Sequence, residues 1–452
     1  MNEISGQIRR LSNAGSYPVI ETKVAEPASR EAMVRTFSRV ENCIARGVGN
    51  SIGDAALNAE LVLSARGLDR MLSFDEQSGV LFAEAGVTLA DIASSFSARG
   101  WFLPTTPGTN QISLGGAVAS DVHGKNHHAV GSFSRHVLWL DILTAAQGVV
   151  RCSRTENQDL FYATCGGMGL TGIILATAIT MVRIPSGWIK QIGIKTHSLI
   201  ETLEACEKYS NYSYSVAWID PHARGKSMGR GYLMCGEFAE EEDLKGMKAE
   251  SRAKGDSSGG FKLPAYFPVP LLSFPLWTKI INAMYFMRSP KGISESIVSA
   301  ESFFFPLQHI NLKMFGGGHI TYQFVLPYSA SRDGLVKIFQ KIVDSGQGSL
   351  ISVLKLFGPQ EKWPGNLSFP IEGYNLGIDF RVSPKMFELF RELDAMVIDH
   401  GGRHYLTKDV CLSPQDFRRG YGEAVDEFLA VKRKWDPDNA FRSLQSMRLE
   451  LY

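Results

Sequence analysis

The sequence lacks an uninterrupted apolar stretch of the roughly 20 residues that a membrane-spanning helix requires. The closest approach, LPAYFPVPLLSFPLW at residues 263–277, is uncharged but contains four prolines, which prevent a continuous spanning helix. The first residues, MNEISGQIRRLSNAGSYP, have no apolar run after their basic residues, so no secretory signal is expected. We therefore expect a cytoplasmic protein, in which residues 263–277 form either an apolar lid or a surface for peripheral contact with the inner membrane.

Strong net charge and paired cysteines are also absent. The formal net charge is +1, whereas a general nucleic-acid-binding protein normally presents a strongly basic face. The six cysteines are far apart and form no C-x-x-C pair, which favours reduced core thiols over a zinc site or a disulfide framework; they are Cys43, Cys152, Cys165, Cys206, Cys235 and Cys411. With 452 residues, 44% of them hydrophobic, the chain can build two domains with sizeable cores.

One glycine-rich and polar stretch stands out, PTTPGTNQISLGGAVASDVHGKNHHAVGSFSRHVLWLDILT at residues 104–144. Its glycines let the backbone approach a ligand closely, and its backbone N–H groups can bind oxyanions such as a pyrophosphate. A long surface loop is the alternative explanation. The stretch ends in VLWLDILT, which is typical of a strand.

Three short motifs suggest other chemistry and fail on context. Residues 49–53 match G-x-S-x-G, but the following DAALNAELVLS does not resemble the helix that carries a serine-hydrolase nucleophile at Ser51. Residues 167–172 match G-x-G-x-x-G, but the β-branched IILATAITMV that follows predicts a strand instead of a helix. His123 and His127 have the spacing of metal ligands on a helix, yet the intervening Gly124 and Asn126 favour a loop, and we expect no metal.

Local patterns predict several elements. Thr88 as cap, helical spacing of Leu89, Ile92 and Phe96, and Gly100 as stop predict a helix. Strands are predicted in YSYSVAWID, ITYQFVLP and YNLGIDFRV, and a helix that ends before Asp436-Pro437 in VDEFLAVKRKW. KGDSSGG at residues 254–260 indicates a flexible insertion, which is either a solvent-exposed linker or part of a loop over a pocket.

The motif PGT-Q-S-GGA-A-D-HGKNHH-GSF-HV resembles the flavin loop of FAD oxidoreductases of the vanillyl-alcohol-oxidase type, which have a PCMH-type FAD-binding domain. Within that superfamily the chain is most similar to the family of FAD subunits of decaprenylphosphoryl-ribose 2′-epimerase. The similarity runs nearly end to end, through ARGVGNSIGD, AWID, MGRG, KLFGP, LSFPIEGYN, HYLTKD and DPDNAFRSLQSMRLEL.

This resemblance implies an α+β flavoprotein with a discontinuous FAD-binding domain, residues 1–186 and 402–452. A substrate domain on an antiparallel sheet is inserted at residues 187–401, with a flexible loop at about 254–300. The implied reaction oxidises the 2-hydroxyl of a polyprenyl-phosphoryl-ribose to a ketone, after which a separate NAD-dependent short-chain reductase forms the arabinose epimer, a precursor for the cell envelope. Another sugar or aldonolactone oxidase of the superfamily, or a serine hydrolase using Ser51, remain as alternatives.

The resemblance also implies which residues contact FAD. In several flavoenzymes of this superfamily a histidine of the 46–51 loop bonds covalently to the flavin, but Asn50 and Ser51 stand here, which implies non-covalent FAD. The implied cofactor residues are Arg46, Gly47, Val48, Gly49, Asn50, Ser51, Pro107, Gly108, Thr109, Gly115, Gly116, Ala119, Asp121, His123, Gly124, Asn126, His127, Gly131, Ile173 and Tyr405.

The implied substrate residues are Lys125, Trp218, Phe304, Thr321, Gln323, Lys355, Asn375 and Gly377. Three of them depart from the family pattern: Thr321 stands where the family has Gln, Phe304 where it has Tyr, and Gly377 where it has Cys. These departures leave the fine structure of the substrate open. Lys408, by resemblance the lysine of a Y-x-x-K-D motif, is the predicted catalytic residue because a partly desolvated amine can take or guide the proton of an alcohol.

Overall fold

A computed structural model describes residues 6–245, 275–306 and 318–452 of the chain. The strands are β1 Gln7–Ser12, β2 Val19–Ala25, β3 Ile44–Arg46, β4 Leu61–Ser64, β5 Met71–Asp75, β6 Val80–Glu84, β7 Trp101–Phe102, β8 Val137–Thr144, β9 Gly148–Ser153, β10 Ile173–Thr180, β11 Val182–Arg183, β12 Trp188–Thr196, β13 Tyr214–Ile219, β14 Gly231–Phe238, β15 Ile293–Ser299, β16 His319–Pro327, β17 Gly348–Phe357, β18 Gly373–Arg381 and β19 Arg403–His404.

Helices alternate with these strands. They are α1 Arg30–Phe37, α2 Leu89–Phe96, α3 Leu114–Ala119, α4 His127–Val130, α5 Gln158–Thr164, α6 Leu199–Lys208, α7 Pro275–Arg288, α8 Ala300–Phe304, α9 Tyr328–Ser345, α10 Pro384–Asp399, α11 Pro414–Tyr421, α12 Ala424–Trp435 and α13 Leu444–Arg448. The mixture of helices with largely antiparallel sheets confirms the predicted α+β class. Across the described ranges, no helix is both long and apolar enough to cross a membrane.

The N-terminal part contains two larger sheets. One has the order β1-β2-β4-β3 and includes parallel pairs, and the other has the order β5-β6-β10-β8-β9 and is antiparallel throughout. The predicted helix is confirmed as α2: Thr88 and Asp91 form a capping box at its start, and Gly100 is left-handed with φ 76° after the last turn. The segment after the G-x-G-x-x-G match is strand β10, as predicted.

An eight-stranded antiparallel sheet forms the middle of the chain, in the order β15-β12-β14-β13-β17-β18-β16-β19. The three predicted strands are β13, β16 and β18. Alternate residues of a strand point to opposite faces. On one face Phe324, Leu354, Leu376 and Ile378 pack in a core with apolar residues of α6, α9 and α10. The opposite face is left for the site.

The C-terminal tail packs on the N-terminal sheets. Lys432 of α12 and Asp436 form a buried ion pair of 2.6 Å, and the Lys432 ammonium also donates to the carbonyls of Leu170 and Phe441. Phe441 then bridges to Cys43 beside β3. As predicted, α12 ends at Trp435, before Asp436-Pro437. These contacts are the ones expected if residues 402–452 return to the FAD-binding domain.

The interval 254–300, expected as a flexible loop, falls partly outside the described residues. Residues 254–274, with the KGDSSGG segment and most of the apolar lid, belong to that part. From residue 275 the chain forms α7 and then β15, which is the edge strand next to β12. The loop expectation therefore does not extend over residues 275–288 and 293–299.

Candidate active site

The face of the large sheet opposite the helices carries a row of residues that the register of the strands aligns. Trp218 of β13 is opposite Val353 of β17, Val353 is opposite Gly377 of β18, and Gly377 is opposite Gln323 of β16. Directly opposed residues lie on the same face of a sheet. Four residues that are distant in sequence therefore share one line across four strands.

Neighbouring rows add polar groups to this face. Lys355 is opposite Asn375, and Thr321 is opposite Asp379. Thr321, Gln323, Asn375 and Asp379 are all at least 90% buried. Buried polar residues on one face are unusual for a core and are typical of a binding site.

The glycine-rich loop at 121–127 meets this face. Gln323 Nε2 contacts His123 Nε2 at 2.8 Å and also donates to Asn375 Oδ1 at 2.9 Å. Burial holds the pKa of His123 well below its usual value, so the ring is neutral. Because Gln323 Nε2 is a donor, His123 Nε2 accepts and the proton lies on Nδ1. The loop and sheet are thus joined by an uncharged hydrogen-bonded chain.

Three lysines surround the junction of loop and sheet. Lys125 donates to the Phe303 carbonyl and lies 4.2 Å from the centre of the Phe303 ring. Burial, with the nearby Lys355 charge, lowers the pKa of Lys125 to about 7, and burial, with the Lys408 charge, lowers the pKa of Lys355 to about 8. Clustered, desolvated amines of this kind would favour a bound anion.

Lys408 lies in a short 3₁₀ turn, Leu406–Lys408, directly after β19. Burial lowers its pKa, while the charge of Asp379 acts in the opposite direction. Asp379 accepts a hydrogen bond of 2.5 Å from Thr321 Oγ1, which orients the carboxylate. The predicted catalytic amine is therefore both desolvated and adjacent to a fixed carboxylate on the sheet face.

The loop after β3 has the features of an anion site. Within the described part of the chain, the backbone N–H groups of Val48, Gly49, Asn50 and Ser51 donate no hydrogen bond, and Ser51 Oγ is buried with no partner. Gly49 is left-handed, with φ 79°, and a Cβ there would overlap the Arg46 guanidinium. Consecutive free N–H groups in such a turn bind phosphate oxygens. These residues fit the pyrophosphate of FAD.

The second loop continues this cradle. Gly108 and Thr109 are half-buried. Ser113 caps α3 by accepting from the N–H of Gly116 at 3.3 Å, and a Cβ on Gly47 would overlap the Ser113 hydroxyl. The two glycine-rich loops can approach each other this closely only because Gly47 has no side chain.

The side chains of several predicted cofactor residues are used in hydrogen bonds to other parts of the protein. Both carboxylate oxygens of Asp121 are used, by the hydroxyls of Ser132 and Ser368 and the N–H of Ser134. Asn126 bridges Thr105 and the Pro104 carbonyl, and Tyr405 donates to the Ser120 carbonyl at 3.0 Å. These side chains shape the cradle, and contact with a flavin would come from neighbouring backbone.

The remaining predicted cofactor residues differ in position. Gly115 lies against Ala85, Gly124 against Thr105 and Asn126, and Gly131 is left-handed with φ 80°. Pro107 and Ala119 are half-buried, whereas His127 and Ile173 are buried, the latter at the start of β10. His127 packs against Phe357 with ring centres 4.2 Å apart. Ile173 pairs with Leu143 of β8 and packs in a hydrophobic core, so its side chain is a core residue.

The structure does not bring the Phe304 side chain to the polar face. Its ring is 98% buried in an aromatic cluster with Phe102, Tyr214 and Phe238. The neighbouring Phe303 contacts Lys125 instead, through its carbonyl and ring. Three consecutive phenylalanines at 303–305 favour a buried apolar cluster. The prediction that placed Phe304 in the substrate site considered that position without its neighbours.

Asp379 is the site residue that sequence reasoning missed. It follows Asn375 and Gly377 at two-residue steps in NLGID, so the alternation of β18 alone places it on the same face. That signal was available once YNLGIDFRV was predicted as a strand.

Neither the serine-hydrolase alternative nor a metal centre is supported by the geometry of the described residues. A serine hydrolase needs a base within hydrogen-bond reach of its nucleophile, yet Ser51 Oγ has no partner among the residues described, and turns follow it instead of a helix. The described residues contain no group of three or more His, Cys, Asp or Glu side chains that could hold a metal ion. The six cysteines are free thiols.

Comparisons with known proteins bear on the same site. Residues 23–153 match the family model described as an FAD binding domain, and this range includes both glycine-rich loops. The decaprenylphosphoryl-β-D-ribose oxidase of Mycolicibacterium smegmatis is 34% identical over 98% of both chains. An uncharacterised Streptomyces coelicolor protein is 29% identical over 81% of this chain and its own full length. The L-gulonolactone oxidase of Scyliorhinus torazame is 27% identical over 39% of each chain.

Proposed function

This chain belongs to the decaprenylphosphoryl-β-D-ribose oxidase family and is an FAD-dependent oxidoreductase, and from this premise we propose that it oxidises the 2-hydroxyl of a polyprenyl-phosphoryl-β-D-ribose to the 2-keto sugar. The observation that carries the proposal is the buried polar face of the large sheet, which lies against the glycine-rich loop through the Gln323–His123 contact. A sugar has many hydroxyls, and a face of amide, hydroxyl, carboxylate and amine groups is suited to bind them.

The loop residues 46–51 and 107–109, with the start of α3, would hold the cofactor. When bound, FAD supplies the acceptor for the hydride that leaves C2 of the ribose. Lys408 takes or guides the hydroxyl proton, because its desolvated amine has a lowered pKa and Asp379 stabilises the resulting ammonium. His123 and Gln323, locked together, orient the sugar without adding charge.

The remaining lysines suit the other end of the substrate. The Lys355 charge lowers the pKa of Lys125, and the Lys408 charge lowers that of Lys355, so positive charge is concentrated on this side of the site. A phosphodiester carries the negative charge that this cluster lacks. We therefore assign the prenyl phosphate to the side of Lys125 and Lys355.

A complete epimerisation also requires reduction of the keto sugar at C2 from the opposite face. Residues 23–153 match an FAD binding domain, which accounts for the oxidation. We propose an NAD-dependent short-chain reductase as the partner, and peripheral contact with the inner membrane as the place where a polyprenyl substrate is reached. The apolar segment 263–277 would supply such contact, but all of it before residue 275 lies outside the described residues.

The direct test is anaerobic reduction of the purified, FAD-loaded protein. A short-chain polyprenyl-phosphoryl-β-D-ribose should bleach the visible flavin band, whereas the matched 2-deoxyribose compound should not, because it has no 2-hydroxyl. An aldonolactone is the third substrate. Bleaching by the aldonolactone alone would replace the proposal with a lactone oxidase, and equal bleaching by the 2-deoxy compound would move the reaction to another carbon.

A further inference from the structure

A cavity of about 280 Å³ lies apart from the polar sheet face, between the turn after β13 and helix α7. Its walls include His222, Arg224, Arg230 and Lys279, with Asp220 as the carboxylate. Asp220 is already committed, since Arg230 donates to its Oδ2 at 2.8 and 3.0 Å. The cavity therefore keeps an excess of positive charge.

The surrounding chain is basic as well. Residues 220–230 and 275–292 together contain six basic side chains, Arg224, Lys226, Arg230, Lys279, Arg288 and Lys291, against the single carboxylate Asp220. The whole chain has a net charge of only +1, so positive charge is concentrated in this part of the molecule. Arg230 is also fixed in place, with its guanidinium carbon 4.4 Å from the centre of the Phe286 ring.

Helix α7 adds an exposed apolar stripe beside the cavity. Leu276, Ile280 and Met287 are 66%, 40% and 69% exposed, and their spacing of four and seven residues places them on one side of the helix. Lys279 lies at the edge of the same side. Tyr285, on the opposite side, contacts the ring of Trp218 at 4.7 Å. One helix thus connects the substrate row to an outward apolar and basic surface.

We propose that the cavity binds the phosphate of an anionic phospholipid headgroup while the α7 stripe lies in the membrane interface. Two observations favour a membrane over other anionic partners: the excess of cations around the cavity and the apolar stripe continuous with it. Amphipathic helices with basic edges bind anionic bilayers in this way. The same geometry would bring a substrate from the membrane close to the site. The exposed stripe of α7 would lie in the membrane, and the opposite side of the helix contacts Trp218 in the substrate row. The inference does not depend on which sugar is oxidised.

Flotation of the FAD-loaded protein with vesicles tests this inference. We expect binding to vesicles of phosphatidylglycerol and phosphatidylcholine, and little binding to phosphatidylcholine alone. Each neutralised cation of the cavity should weaken binding about fivefold, so Arg224→Gln with Lys279→Gln should weaken it about 25-fold. Ile280→Asp should also weaken it. Lys337→Gln, at an exposed lysine of α9, is the matched control and should bind like the wild type.

Two measurements separate the outcomes. Flavin absorbance and activity on a short-chain soluble substrate should stay unchanged in all variants, which distinguishes this site from the proposed reaction. Undiminished vesicle binding by the double variant, or an equal loss in Lys337→Gln, would overturn the headgroup site. A thermal shift with inorganic phosphate that the double variant abolishes, without any vesicle binding, would show that the cavity takes free phosphate and would also overturn the proposal.

Discussion

Lys408 is the residue on which the proposed chemistry depends most directly. Lys408→Ala should fold and keep its flavin, yet its flavin should be reduced about a hundredfold more slowly, as expected for loss of a general base. In the wild type the rate should rise with pH and level off, because only the neutral amine accepts a proton and burial sets its pKa below the usual value. Stopped-flow reduction without oxygen measures both effects.

The control for this experiment is Lys337→Ala, because Lys337 is exposed on α9. It should match the wild type in rate and pH profile. If Lys408→Ala keeps a near-wild-type rate with the same rise, Lys408 has no part in proton transfer. If it loses the flavin, the residue holds the cofactor instead.

Gly377 gives a second prediction at the residue scale. A Cβ there would be 3.5 Å from Gln323 Cγ, an ordinary contact, so Gly377→Cys should fold. Lys355 lies one row away on the same face of the sheet, and its positive charge would favour the thiolate of the new cysteine. Burial instead raises the pKa of native Cys235 to about 11 and of Cys43 to about 12. Iodoacetamide should add one group to the variant at least tenfold faster than to the wild type, as read by intact mass.

Protection by substrate makes the Gly377→Cys test specific. A short-chain substrate should slow alkylation of Cys at 377, but not at 187, where Gly187→Cys offers an exposed control with open space around its Cβ. Alkylation that substrate does not slow would place residue 377 outside the substrate site.

At the scale of elements, helix α13 clamps the loops beside the site. Arg448 donates to Asp54 at 2.9 and 3.0 Å and to Asp409 at 2.7 Å, and both carboxylates are buried. These contacts adjoin the place where the Ile52 N–H donates to the Thr407 carbonyl. The helix therefore ties the end of the anion loop to the turn that carries Lys408.

Arg448→Ala would leave two buried carboxylates without their cation. The loss should lower the free energy of unfolding by about 3–5 kcal/mol, the usual effect of breaking a buried ion pair from one side. Arg419→Ala, which breaks an exposed pair with Asp399, should cost at most about 1 kcal/mol. Denaturant unfolding followed by circular dichroism measures both. Equal losses of unfolding free energy in the two variants would mean that the contacts of Arg448 stabilise the fold no more than an exposed ion pair does.

The clamp also implies a dependence on acid. The Arg448 charge keeps the pKa of Asp409 lowered in spite of burial. The stability that Asp409 contributes is therefore present above the unfolded pKa of about 3.9, and it is lost as pH falls through the folded pKa. In Arg448→Ala burial without the cation raises the pKa of Asp409, so this acid-dependent loss should disappear, and protonation of the carboxylate at low pH should restore part of the stability that the variant loses.

Elements with a local signal were predictable from sequence. The capping box of α2, the β-branched run of β10 and the β-branched and aromatic content of β16 and β18 are all properties of neighbouring residues. Edge strand β15, ISESIVS, was not found, because only Val298 in it is buried and its apolar signal is weak. The row from Trp218 to Gln323 was expected as a set only by resemblance, since strand order and register between distant segments have no local signal.

For the whole molecule, the cofactor is expected to act as a structural link. The cradle draws on residues 46–53, on residues 107–127 and on the turn at 405–408, which the Ile52–Thr407 and His123–Gln323 contacts already bring near one another. A ligand that binds only this folded arrangement stabilises it by mass action, at about 1.4 kcal/mol for each tenfold excess of ligand over its dissociation constant. This dependence on FAD concentration is expected only if FAD binds reversibly.

The last prediction is that FAD is held without a covalent bond. The anion loop presents Asn50 and Ser51, and neither side chain forms the bond to flavin carbon that a histidine of this loop makes in related enzymes. Acid precipitation should release the yellow colour, and the melting temperature of protein stripped of flavin should rise steadily with added FAD. Riboflavin, which has no pyrophosphate for the four free N–H groups to bind, should raise it far less. A yellow acid pellet would establish a covalent link and would require another residue to supply it, whereas a melting temperature indifferent to added FAD would show that the stripped protein does not bind the cofactor reversibly.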